Sequence, residues 1–248
     1  ANADYRNSGG YILTGPEYLT VFNGLTGAAM ATANYIPARG NVGSWGDTYG
    51  NRIDRFRVGV AYLDGKRPTA LFGRGYYTRL VMAAWDWRDG KLTNRWTFDS
   101  NTSGNGAYAG QGNHSLSVAD VDNDGKHEII SGAAVIDDDG KPYYTTGNGH
   151  GDAGHVSDFD PSVPGIEVVN IQERFDDEGI YMYNATSKRQ IWAIPSVAAG
   201  DDGEGPGRGV CADISASSPG AESWAAGAGV SGVFNTKGQR TCLLYTSD

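Results

Sequence analysis

The 248-residue chain is short of several things. It has two cysteines, Cys211 and Cys242, too few for a disulfide framework and without the spacing of a zinc site. Basic residues number 20 against 29 acidic ones, a formal charge of −9. That excludes a nucleic-acid partner, because phosphate binding needs a Lys/Arg surplus, and it suits binding of cations. No apolar run approaches the roughly 18 residues of a membrane span, so no membrane partner is expected. No basic segment followed by an apolar one opens the chain in the manner of a signal peptide. The opening "ANADYRNSGGYILTG" has neither a cap nor an initiator methionine, and sequence upstream of it is expected. Long helical periodicity is lacking too.

What is present is glycine, 37 residues, with 14 Tyr and 6 Trp. No Gly-X-Y period accompanies the glycine, so turns explain it. Short strand-like runs such as "FRVGVAYL", "TALFGRG", "HEIISGAAVI" and "IEVVNIQ" alternate with Gly/Asp/Asn turns, which predicts an all-β fold. The runs also repeat. "GVAYLDGKRPTALFGRG", "SVADVDNDGKHEIISGA", "HVSDFDPSVPGIEVVNI" and "VCADISASSPGAESWAA" each read as strand, acidic or polar turn, strand. Asp120, Asp158 and Asp213 fall in register, as do Glu128, Glu167 and Glu222. A second hairpin, in which a strand often carries Trp, follows in several units ("MAAWDWRDGKLTNRWTF", "IYMYNATSKRQIWAI") and also opens the chain ("YLTVFNGLTGAAMATANYI"). Two hairpins make four strands, and the units recur every 38–58 residues or so, near the roughly 40–50 of propeller blades. The expected fold is a β-propeller with four-stranded blades. Residues 1–240 would form about four blades plus a fragment, and 241–248, "TCLLYTSD", which could be a short strand but breaks the pattern of the other units, would be a truncated or non-native tail.

The turn "DVDNDGKHE" places Asp120, Asp122, Asp124, the Lys126 carbonyl and Glu128 at alternate positions around a point, with Gly125 at the sharp bend. This is the oxygen-ligand arrangement of a calcium loop. Ser131 stands where an EF-hand needs its bidentate glutamate, and strands replace the flanking helices, so the loop is not an EF-hand. The turn "DFDPSVPGIE" offers Asp158, Asp160 and Glu167 to a second calcium. In "DISASSPGAE" Asp213 and Glu222 remain, and an ordinary turn is expected there, as in "LDGKRP". "IDDDGK" reads as a hairpin turn whose carboxylates could catch a cation.

All four histidines lie mid-chain. His127 is expected on an exposed rim and His155 in packing. His114 in "GQGNHS" and His150 in "GNGHGDAGH" sit in Gly-rich segments leading into strands that begin successive units, so they can meet Asp152, and Glu173 in "IQER" can join them. Imidazoles with carboxylates make a metal site or an acid/base cluster; solvated loop histidines are the plain alternative. "GRGYYTR", with Arg74, Tyr76, Tyr77 and Arg79, reads as a carbohydrate-facing loop, because aromatics stack on sugars and Arg grips carboxylates; a strand-edge hairpin is the alternative.

"GPEYLTVFNGLTGAAM", "NVGSWGDTYGNRIDRF", "GRGYYTR", "WRDGKLTNRWTFDS", "AYAGQGNHSLSVADVDNDGKHEII" and "TTGNGHGDAGHVSDFDP" closely resemble rhamnogalacturonan lyases of polysaccharide lyase family 11, over about residues 8–238. The resemblance implies an eight-bladed propeller, of which this chain covers about half. It also implies calcium as cofactor and extracellular or cell-surface cleavage of the rhamnogalacturonan I backbone of pectin, by a bacterial protein that is a monomer at full length. It carries a metal-binding role onto His114, His150, Asp152 and Glu173, and it supports calcium at Asp120, Asp122, Asp124 and Glu128. The implied chemistry is β-elimination across C4–C5 of galacturonate, with a cation or Arg on the carboxylate to stabilise the enolate-like transition state. Tyr77, Arg79 and Arg174 are the substrate-binding candidates; the sequence does not identify the catalytic base. The rival reading is a non-catalytic, calcium-stabilised propeller that binds glycans or proteins.

Overall fold

A computed structural model describes residues 3–173, 178–197 and 205–242. Among these, every regular element apart from two 3-10 turns is a strand. An opening hairpin, β1 (Tyr18–Phe22) and β2 (Ala29–Asn34), is followed by four four-stranded sheets. The first holds β3 (Phe56–Ala61), β4 (Thr69–Arg74), β5 (Val81–Arg88) and β6 (Lys91–Asp99). The second holds β7 (Ser117–Ala119), β8 (Glu128–Ser131), β9 (Ala134–Ile136) and β10 (Pro142–Thr145). The third holds β11 (Gly151–Ser157), β12 (Glu167–Gln172), β13 (Ile180–Asn184) and β14 (Arg189–Ile194). The fourth holds β15 (Gly209–Ala212), β16 (Glu222–Gly227), β17 (Val230–Phe234) and β18 (Arg240–Cys242). Each is an antiparallel meander in chain order. The sequence-derived repeat is therefore the sheet, and Arg240–Cys242, whose last two residues fall in the tail where the pattern was expected to break, pairs with β17 as a fourth strand. Residues 243–248 of the expected tail lie outside the described residues.

The repeat has a buried hinge. Ala119↔Glu128, Ser157↔Glu167 and Ala212↔Glu222 are equivalent pairs closing the first turn of their sheets, and all three glutamates are buried. Each turns its carboxylate back onto its own loop. Glu128 accepts the Val121 N–H at 2.7 Å, Glu167 those of Phe159 and Asp160 at 3.0 and 3.1 Å, and Glu222 those of Ile214 and Ser215 at 3.1 Å. A carboxylate taken from water needs such donors, which is why the glutamate recurs even where the acidic turn does not. In the first sheet Thr69 takes the position, opposite Ala61, and bonds Asp86 at 2.7 Å.

Sheets pack face to face. Leu71, Met82 and Phe98 meet Ile129 and Ile136; Val121, Ile130 and Val135 meet Val168, Tyr181 and Tyr183; Val169, Ile171 and Met182 meet Cys211, Val230 and Phe234. Strands β12 and β13 are buried on both faces, so they read as continuous apolar runs rather than alternating ones. The recurrent Trp locks neighbours together. Trp96 of β6 donates to the Asp138 carbonyl of the next sheet at 2.8 Å, over Gly140, and Trp192 of β14 donates to Thr236 at 3.0 Å, over Gly238. Between the second and third sheets Lys188 lies over the Tyr143 ring instead, at 3.6 Å.

First strands of successive sheets are neighbours, β3 beside β7, β7 beside β11 and β11 beside β15. Because the strands alternate in direction, the starts of first strands and the ends of second strands share one end of the sheets, and the acidic turns occupy the other.

Candidate metal centre and its surroundings

At the first of these ends, residues from several sheets converge. Tyr76 and Tyr77 follow β4, His114 precedes β7, His150 immediately precedes β11 and Asp152 lies at its start, Glu173 follows β12, and Arg208 precedes β15. Ligand atoms of His114, His150, Asp152 and Glu173 all lie within 4.8 Å of one another, so the four residues named from the sequence are brought together. The His150 Nδ1–H donates to the Gly112 carbonyl at 2.6 Å, which leaves Nε2 with its lone pair. Buried, that Nε2 makes no hydrogen bond, although Glu173 Oε2 is 2.7 Å and Asp152 Oδ1 3.8 Å away. His114 Nε2 lies 3.1 Å from the same Asp152 oxygen. Burial pushes the His114 imidazole below its ordinary pKa against the pull of Asp152, favouring the neutral ring that a cation needs. A buried His150 nitrogen that presents a lone pair to carboxylate oxygens at this range calls for a positive centre beside it. The donor set therefore fits a divalent ion.

The walls are aromatic and cationic. Tyr76 stacks on His150 (centroids 5.4 Å, planes 5° apart), and the Tyr76 and Tyr77 hydroxyls approach His114 Nδ1 and Nε2 at 3.3 and 3.2 Å. The Arg52 guanidinium covers the Tyr77 ring at 3.8 Å, with Arg55 at 5.6 Å, and Arg208 pairs with Asp152. Beneath them the buried Arg57 donates to the Gly75 and Asn113 carbonyls and to Ser131. Burial pushes its pKa down to about 10, still leaving it charged at neutral pH. Tyr77 is thus beside the centre as the sequence suggested. Arg79 is bidentate on Asp99 and also holds Ser44. Arg74 is fully buried and bound to Glu17, not turned outward toward a sugar as its motif had suggested. Arg174 lies outside the described residues. The contributions of Arg52, Arg55 and Arg208 were missed: nothing in their local sequence distinguishes them from surface arginines, and only the convergence of three loops places them here.

At the opposite end, Asp120, Asp122 and Glu128 form one potential ligand group, and Asp124, Glu128 and Asp138 a second. Asp138, from "IDDDGK", adds an oxygen from the neighbouring hairpin. Glu128 Oε1 is buried and unpaired; burial pushes this carboxyl up to about 8, and the charges of Asp122, Asp137 and Asp124 add to the shift. An all-oxygen group with a net repulsion of this kind fits calcium. Lys126 already bridges Asp124 and Asp138 at 2.8 and 3.3 Å, partly offsetting that repulsion. Asp158, Asp160 and Glu167 are not gathered in the same way. The Glu167 oxygens are taken by two backbone N–H groups and the Asn184 amide at 2.6 Å, and Asp160 by Ser162. Neutral donors there do what a cation would do. His127, expected on an exposed rim, is half-buried and accepts the Tyr62 N–H at 3.3 Å; His155 bonds the Gly209 carbonyl at 3.2 Å, the structural role expected of it.

The fold and the cluster define an all-β protein of four-stranded antiparallel sheets with an imidazole–carboxylate centre at one end. More particularly, the chain belongs to rhamnogalacturonan lyase family 11: the model of that family's C-terminal domain matches residues 1–246. It is 52% identical to rhamnogalacturonan endolyase YesW of Bacillus subtilis (strain 168) over 239 residues, covering 96% of this chain and 37% of that protein. It is likewise 52% identical to rhamnogalacturonan exolyase YesX of the same organism over 244 residues, covering 96% and 39%. Among solved structures it is similar to the Bacillus licheniformis rhamnogalacturonan lyase PL11, with TM-score 0.90 and 55% identity over 98% of this chain and 40% of that one. The chain thus spans less than half the length of these relatives.

Proposed function

We propose that this chain is part of a rhamnogalacturonan lyase that cleaves the rhamnogalacturonan I backbone of pectin by calcium-assisted β-elimination at galacturonate, as a carbon–oxygen lyase. The observation that carries the reading is the buried, unpaired His150 Nε2 facing two carboxylates, at an end of the sheets lined by Arg52, Arg55 and Arg208. His114, His150, Asp152 and Glu173 hold the ion. When bound, calcium supplies positive charge at the uronate carboxylate, which makes the C5 proton easier to remove. The protein's own groups do the rest of what is described here. The Gly112 carbonyl fixes the His150 tautomer, Tyr76 and Tyr77 wall the site, and the guanidiniums attract an anionic polymer to a protein of net negative charge.

The sequential four-stranded sheets with adjacent first strands support a propeller, eight-bladed in the whole protein, with this chain supplying about half. Calcium at the Asp120–Glu128 turn stiffens one blade. The same reading sets the protein outside the cell as a monomer. The test is ultraviolet absorbance of unsaturated uronate released from rhamnogalacturonan I by the whole protein, with and without chelator. Product that depends on calcium is expected; no product with calcium present overturns the lyase reading.

A further inference from the structure

Strand β3 runs against the usual pattern. In "FRVGVA" the apolar Phe56, Val58 and Val60 are 48%, 68% and 57% exposed, while Arg57, Gly59 and Ala61 take the inward phase. Alternation puts the two sets on opposite faces, so a guanidinium lies on the side that packs against the second sheet. Gly73, opposite Arg57 in the ladder, leaves the room: a Cβ there would stand 3.4 and 3.5 Å from Arg57 Nη2 and Nε. Among the described residues no carboxylate pairs with this buried cation. Its acceptors are the neutral Gly75 and Asn113 carbonyls, at 2.9 and 3.1 Å, and the Ser131 hydroxyl, and its Nε–H makes no hydrogen bond. A buried charge with neutral partners and an idle donor is a poor way to stabilise a sheet, where a well-packed apolar side chain often does as well. The contacts lead instead to the metal centre. Gly75 precedes Tyr76, and Asn113 precedes His114. The guanidinium also lies over the Tyr76 ring, 5.0 Å from its centroid, and that ring stacks on His150. One side chain of the first sheet therefore bears on the supports of both imidazoles. Asn113 is held from its far side as well, its Oδ1 accepting the Ser115 N–H at 2.7 Å and its amide donating to Asn170 of the third sheet at 3.2 Å.

We propose that Arg57 is a positioning residue for the metal centre: its guanidinium fork fixes the Tyr76 ring against which His150 lies and the Asn113 peptide from which His114 extends. This rests on the reading above that His114, His150, Asp152 and Glu173 hold an ion. A guanidinium carries several N–H donors in one rigid plane, so it can hold two loops and a strand at once, whereas an ammonium is a point charge on a flexible stem. The two imidazoles belong to different sheets, and an ion that bridges them needs their separation kept to within about 0.5 Å. With Arg57 in place that separation is set before the ion arrives; without it, binding must also order the rings, and affinity falls. The charge alone would act in the opposite sense. A positive group beneath the centre repels a cation, so removing it should strengthen calcium binding if its field were all that mattered. The sign of the change therefore separates positioning from electrostatics.

The experiment titrates calcium into the whole protein by calorimetry, for wild type, His150→Ala, Arg57→Met and Arg57→Lys. The component of the isotherm that His150→Ala removes belongs to the centre. Melting temperatures in chelator report the fold separately. Arg57→Met should weaken the centre's component about tenfold, although it deletes a positive charge. Arg57→Lys, which keeps the charge and loses the fork, should recover only part of that loss. An Arg57→Met centre that binds calcium as wild type does, or more tightly, overturns the proposal, and so does a fall in melting temperature with the centre's affinity kept. An Arg57→Lys variant equal to wild type overturns the role given to the fork, and it decides the matter by itself if Arg57→Met does not fold. Wild type and His150→Ala that titrate alike defeat the metal-centre reading, a result distinct from all of these.

Discussion

The His150 Nδ1–H donates to the Gly112 carbonyl across 2.6 Å, and this one bond decides where the ring's other nitrogen points. A ligand nitrogen oriented from behind is the usual arrangement in metal sites. His150→Ala should lower calcium affinity at this centre at least tenfold or so without unfolding the chain, because the residue sits at a loop–strand junction. Calorimetric titration of calcium, with circular dichroism as the fold control, checks it.

The acidic turn makes a separate prediction. Asp122→Ala and Asp124→Ala should reduce the rise in melting temperature that calcium gives, since an ion bound only by the folded state stabilises it by mass action. His150→Ala should leave most of that rise intact. Thermal scans with and without chelator measure it, and melting curves of the Asp variants that match wild type in both conditions would remove calcium from the turn.

Gly238 takes φ +71°, and a Cβ there would stand 2.8–3.0 Å from the Trp192 side chain. Gly90 has a similar φ of +75° with nothing within 4 Å. Gly90→Ala should therefore cost about 1–2 kcal/mol from backbone conformation alone. Gly238→Ala should cost a further 1–3 kcal/mol or so from overpacking. Urea denaturation of both variants isolates the contact.

Glu17 is held below the ordinary glutamate range: burial pushes its carboxyl up, but hydrogen bonding from Arg74 and the charges of Arg74 and Arg39 outweigh that. A depressed folded pKa gives stability that is present above the unfolded value near 4.5 and lost as pH falls through the lower folded value. Stability should fall below about pH 4.5, and Glu17→Gln should flatten that slope. It should also cost about 3 kcal/mol at neutral pH, because Arg74 is buried without exposure and would lose its partner. Chemical denaturation between acid and neutral pH tests both.

Much of the architecture was legible because the repeat has physical causes visible in single residues. The glutamate that opens the second strand of three of the sheets must meet N–H donors, and the Trp of a fourth strand must find a carbonyl and a glycine opposite. The histidine centre was legible from motif and from its place at strand starts. What was not legible came from between sheets. Neutral partners such as Asn184 and Ser162 satisfy the carboxylates of the 158–167 turn, and no local pattern announces an amide seventeen residues away. Arg79 and Arg74 looked like clamps because their motif is cationic and aromatic; Asp99 and Glu17, distant in sequence, hold them instead.

The metal centre straddles the seam between the second and third sheets. That seam is also closed by the parallel Asn113–Gly151 bridge and by the Asn113 amide on Asn170 at 3.2 Å. Pulled apart from its ends, the chain should shed its outer sheets first and this seam last. The force at which the seam finally opens should rise with calcium concentration, so that an ion at this centre would also set the mechanical strength of the protein.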